Sequence, residues 1–241
     1  MADDLAARLR SDQWQEVDAA LAEAVENPTG DLILADFAVT TNGLERARAV
    51  ALLGDLSGTD GATALRRLVH AVGPGSRDVR CASLLALAKR CGEEASADLT
   101  EALSDRDGTV KDYAVIGLAG AGDGRAWDLV FGRLKVLLRR PSRVLGKSET
   151  LMAVCYLVQH LNDDADRLPM LVETLRKKWD RMNEEEIAWF AEFWPDAFPD
   201  RPLSVGVSTP DRAMVRQWAR DPLFQRVSGP PHEHQSSATD E

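Results

Sequence analysis

The sequence predicts an all-α protein, an α-solenoid of about five helix pairs with N- and C-terminal capping helices. Three observations carry the prediction. One unit is written twice between Arg77 and Asp123: Asp78-Val79-Arg80 opens one copy and Asp107…Val110-Lys111 the next. Counting from the two valines, Ala82 matches Tyr113, Ser83 matches Ala114, Ala86 matches Gly117 and Leu87 matches Leu118. Fainter copies place Ala47, Ala51 and Leu52 earlier, and Met152, Ala153, Tyr156 and Leu157 later, in steps of 35, 31 and 39 residues. Repeats of that length, made of paired helices, stack into a solenoid in which each unit buries its apolar face on its neighbours. Finally, the apolar residues recur every three or four positions, and the one strand-like run, Val205-Gly-Val-Ser, is too short and isolated to count.

Taken in order, residues 3–26 read as helix with a break at Ser11, the second part showing an apolar face of Trp14, Val17, Leu21 and Val25. Pro28-Thr-Gly ends it. Segment 1–30 carries seven acids and two arginines and is expected to cap the stack. Helices follow over 32–39, 44–56 and 62–72, separated by Asn42-Gly43 and the 57–61 loop. Asp78 is placed to cap a helix running to Cys91. The next pair spans 94–103 and 109–121, with Asp105 or Asp107 as cap. A helix over 125–138 is stopped by Pro141, and Ser148 caps 149–161. Residues 163–181 and 184–194 form another pair, with Asn183 capping the second. Pro195, Pro199 and Pro202 mark an irregular stretch before a last helix at 210–219. The solenoid is thus expected over 31–226. The Pro/Ser-rich segment 227–241 cannot build a core and is expected to be a disordered tail.

Composition narrows the function classes. The 241 residues carry a formal charge of −10, which argues against bulk attraction to nucleic acid or an anionic membrane. The acidic start has no basic segment of a signal peptide, and no apolar run approaches the ~20 residues of a membrane span. Cys81 and Cys91 lie about 15 Å apart along one helix, beyond disulfide reach. Reduced thiols in a cytoplasmic protein are expected. Four histidines leave little material for metal or acid–base chemistry, and no cofactor is implied.

At Asp78-Val79-Arg80 and Asp107…Val110-Lys111 the chain resembles HEAT repeats, in particular the short variety of bilin-lyase-like proteins. In that pattern an acidic turn is followed by Val-Arg and a small-residue helix ending in Gly-Asp. Gly54-Asp55 and Gly122-Asp123 match the ending, whereas Cys91-Gly92 departs from it. The resemblance spans roughly 31–161. It implies a binding scaffold with the second helix of each pair lining a concave face, and no bilin chemistry.

Several motifs compete with that reading. Gly146-Lys147-Ser148 ends like a phosphate-binding loop, but Pro141 replaces its first glycine and removes a backbone donor. Trp127 matches the first position of the Trp-x-x-x-Asp pattern of HEAT-like alkylpurine DNA glycosylases. Phe131 stands where the acid belongs, which removes the centre of that chemistry and leaves a packed i,i+4 pair. Arg133, Lys135, Arg139, Arg140, Arg143 and Lys147 form the sharpest charge contrast: no acid lies among them, and against a total of −10 they leave −16 for the rest. They are the candidate binding residues, for an anion or an acidic partner. The aromatic run Trp189, Phe190, Phe193, Trp194 and Phe198 is expected to be buried. His232-Glu-His234 falls in the tail.

The sequence therefore points to a non-catalytic protein-binding scaffold, with a neutralising, immunity-type partner of a cationic protein as a narrower form. That form is motivated by acidic stretches at 1–30 and 182–200. The alternative is a nucleic-acid-binding protein resembling the alkylpurine DNA glycosylases but lacking the catalytic acid.

Overall fold

The computed structural model describes residues 2–11, 13–139, 148–161, 164, 166–201 and 207–221. The helices are α1 (Ala2–Arg8), α2 (Trp14–Glu26), α3 (Gly30–Thr40), α4 (Gly43–Leu53), α5 (Thr59–Val69), α6 (Ser76–Cys91) and α7 (Ser96–Ala102). They continue with α8 (Gly108–Ala121), α9 (Trp127–Leu137), α10 (Glu149–Gln159), α11 (Arg167–Arg176), α12 (Glu184–Phe193) and α13 (Arg212–Arg220). Single 3₁₀ turns occupy Gly92–Ala95, Gly124–Ala126, Trp179–Arg181 and Pro195–Ala197, and no strand occurs among the described residues.

The architecture is an all-α solenoid. Helices α4, α6, α8 and α10 pack side by side in one layer, while α3, α5, α7 and α9 each back their own partner. The core runs continuously through both layers. Leu84, Leu87, Val110, Ala114, Leu118, Met152 and Cys155 are fully or almost fully buried. The small repeat residues act as expected. A methyl group on Gly117 would come within 2.7 Å of Leu99 and 3.4 Å of Ala88, and one on Gly54 within 3.1 Å of the Ala86 backbone. At Gly54 successive repeats meet at a glycine-sized gap, and at Gly117 the tight neighbour is Leu99 of α7, the helix paired with α8.

The capping chemistry is largely as read from the sequence. The Asp107 side chain accepts from the Thr109 amide, Ser148 from Leu151, and Asn183 from Glu186 in a reciprocal capping box. Asp78 is a correction. Gly75 in the left-handed conformation (φ 69°) lets α6 begin at Ser76, so Asp78 falls inside the first turn, paired with Arg77. The 163–181 helix is likewise shorter, ending at Arg176 before a separate 3₁₀ turn. Trp14 is 66% exposed, and the buried face of α2 is Val17, Ala20, Leu21 and Ala24. Segment 227–241 lies outside the described residues.

Of the aromatic run, Trp189, Phe190 and Trp194 are buried, and Phe193 and Phe198 are partly buried. Phe190 and Trp194 are almost fully enclosed; Trp179 contacts Phe190 and Phe198 at 5.2 and 4.7 Å between ring centroids, and Trp189 meets Trp218 of α13 edge-on at 5.6 Å. Helix α13 itself packs on α8 and α10. At this end, the layer expected to line an open face is covered by α13.

Candidate functional site: an arginine-lined groove beside α13

Asp211 starts α13 by accepting from the Ala213 and Met214 amides at 2.8 and 3.2 Å. Val215 and Ala219 are fully buried against the layer below, with Trp218 half-buried. That anchoring leaves Arg212, Arg216 and Arg220, each four residues apart, along one flank of the helix, all exposed. With Gln159, Ala213, Gln217 and Asp221 they line an open groove of about 730 Å³.

The groove floor is a polar bridge. Gln159, 7% exposed at the end of α10, donates through Nε2 to the Ala119 carbonyl of α8 at 3.0 Å. Its Oε1 accepts from Arg216 Nε at 2.9 Å. One buried amide thus ties α8, α10 and α13 together with both its polar ends satisfied, and it fixes the direction of the Arg216 side chain. Arg212 and Arg220 have no hydrogen-bond or ion-pair partner among the described residues.

Beneath the groove, the Tyr156 hydroxyl donates to the Asp123 carbonyl at 2.5 Å and accepts from the Ala126 amide at 3.1 Å; burial pushes this phenol up to about 12. His160, with its ring 4.7 Å from that of Tyr156, is buried. Burial first, and then the positive charge of Arg216, pull its imidazole below the ordinary value of 6.5, against smaller opposing effects of Asp123 and Glu93. A base whose folded value is lowered takes up its proton first in the unfolded chain, so stability is lost as pH falls through 6.5 toward the folded value. Unfolding midpoints measured between neutral and mildly acidic pH are expected to show that loss, and His160→Gln is expected to flatten it. An identical profile in the variant would mean that the imidazole is solvated.

Of the six cations singled out from the sequence, three lie among the described residues, and their settings differ. Arg133 is engaged inside the fold: its guanidinium lies 2.7 Å from Asp112 and donates to the Gly108 carbonyl at 3.1 Å. Lys135 sits over the Phe131 ring at 4.5 Å, and Arg139 is exposed. Arg140, Arg143 and Lys147 lie outside the described residues, as does most of the loop resembling a phosphate site. Trp127 is 1% exposed, stacks on Phe131 at 5.1 Å, and donates to the Leu157 carbonyl at 3.0 Å. It is a core residue with no face open to a nucleobase.

Another depression of about 670 Å³ lies along the 55–59 loop beside Arg66 and Arg90. Its arginines are already paired, Arg66 with Asp98 at 3.1 Å and Arg90 with Asp31 at 2.6 Å. The α13 stripe was missed in the sequence because Asp211 and Asp221 flank it and cancel most of its charge. The available signal was the four-residue spacing of the arginines together with the apolar set 215, 218 and 219.

Comparison with known proteins leaves the family open: no family model matches the chain, and no curated protein matches it. Among solved structures it is similar to a designed armadillo repeat protein, YIII(Dq)4CqI, at TM-score 0.40 and 15% identity, over 91% of this chain and 97% of that one. It is also similar to an engineered protein from a structural genomics consortium, at TM-score 0.39 and 16% identity, over 95% and 99% of the two chains.

Proposed function

We propose that this chain is a non-catalytic scaffold that binds another protein through the groove beside α13. The observation that carries the reading is the makeup of that groove. Among the described residues its titratable side chains are three arginines, which stay protonated, and one aspartate. A lining of this kind offers fixed donors and positive charge, with no nucleophile beside a base. Packing of α13 on α8 and α10 fixes the backbone, and Gln159 holds Arg216, so binding costs side-chain freedom mainly at Arg212 and Arg220.

The direct experiment is affinity purification of the tagged chain from the organism that encodes it, at two ionic strengths. Recovery of a stoichiometric protein partner is expected. Recovery of the bare chain under every condition would overturn the reading, and turnover of a small-molecule substrate would put an enzyme in its place.

A further inference from the structure

Resting on the reading of the chain as a binding scaffold, we infer that the groove beside α13 takes an acidic helical segment of the partner protein, with carboxylates one turn apart. The row of cations on α13 carries this. Within the repeats many cations are matched to acids, Arg90 with Asp31, Lys89 with Asp55, Arg80 with Asp105 and Arg133 with Asp112. Cations unmatched among the described residues, such as Arg67 on α5 and Arg106 between α7 and α8, stand apart instead of in a row. Even exposed arginines of the N-terminal helices are matched, Arg8 with Glu23, Arg10 with Asp36 and Arg48 with Asp18. On α13, Arg212 and Arg220 have no such partner among the described residues, and Arg216 is held by the neutral Gln159. Asp221 is the one acid in the groove lining among the described residues.

The spacing defines the ligand. Arginines four residues apart rise about 6 Å per step along α13. Carboxylates at i, i+4 and i+8 of a second helix rise by the same amount, so the two rows can pair turn for turn, each guanidinium offering a two-pronged donor to a carboxylate. A nucleic acid also presents anions at regular spacing. It would extend past the groove over a chain of net charge −10, whereas a short acidic helix stays within the patch.

The test uses the full chain and a labelled helical peptide of about 20 residues with Glu at every fourth position on an Ala/Gln background. The same peptide with Gln for Glu, and a short DNA duplex, serve as competitors. The Glu peptide is expected to bind, the Gln peptide to fail, and binding to weaken at least about tenfold between roughly 50 and 300 mM salt. Arg212→Gln with Arg220→Gln is expected to reduce binding by a similar factor while leaving the melting temperature unchanged, since both side chains are exposed and Arg216 keeps its bond to Gln159. Equal binding of the Gln peptide, undiminished binding by the double variant, or displacement of the Glu peptide by DNA each overturn the inference. If a partner recovered by affinity purification is retained by the double variant, the scaffold reading stands and the acidic-helix assignment falls. If purification yields no partner yet the Glu peptide binds in an Arg212- and Arg220-dependent way, the assignment stands and the partner reading falls.

Discussion

Trp127→Ala is expected to destabilise the protein by about 3–5 kcal/mol, the range for emptying a buried tryptophan site. The indole opens α9, is 1% exposed and stacks on Phe131. The Arg167 guanidinium lies over its ring at 4.6 Å, and its N–H satisfies the Leu157 carbonyl of α10. Truncation therefore leaves a void between two helices, an orphaned carbonyl and an uncovered arginine stem. Urea denaturation reads the loss directly, and in thermal unfolding of a chain of this size each kcal/mol lowers the melting temperature by roughly 2–4 °C. Trp127→Phe keeps part of the packing and loses the hydrogen bond, so its effect is expected to be smaller. A change under about 1 kcal/mol in Trp127→Ala would put the indole at the surface.

Arg90→Ala is expected to have a comparable effect, about 3–5 kcal/mol, because it breaks a buried ion pair from one side. The Arg90 side chain is 3% exposed and Asp31, on α3, 13%. One guanidinium nitrogen bonds Asp31 at 2.6 Å and the Gly58 carbonyl at 2.8 Å; the other lies 2.5 Å from the Leu53 carbonyl. Asp31 also accepts from the Gly61 amide at 2.9 Å. Removing the guanidinium leaves a carboxylate and two carbonyls unmatched at the junction of three helices. Arg90→Lys keeps the charge without the planar fork and is expected to fall in between. The double replacement Asp31→Asn with Arg90→Met is expected to recover part of the loss, since no buried charge then remains. Equal stability of Arg90→Ala and the parent would mean that water reaches the pair.

The sequence by itself determined the repeat. Valines, leucines and small residues recurring at matched offsets are a local pattern, and local periodicity decides which face of a helix is apolar. Caps built from adjacent residues were equally legible at Asp107, Ser148 and Asn183, because a cap and its amides lie within three residues of each other. Where the deciding contact was distant, the pattern misled. Trp14 has the right spacing for a core residue and is exposed, because burial depends on whether another element lies opposite. The 133–147 cations stand together in the sequence, yet Arg133 is matched by Asp112 from the preceding helix. The arginine groove shows the same dependence. Arg212, Arg216 and Arg220 are visible as a stripe, but a stripe becomes a site only when another element meets it. Here the floor is Gln159, 57 residues away from the Arg216 it bonds and itself bonded to a carbonyl of a third helix. Only the tertiary structure decided that α13 folds back across α8 and α10, because that docking depends on the shape of a surface built by helices distant in the chain, which no single stretch of sequence encodes.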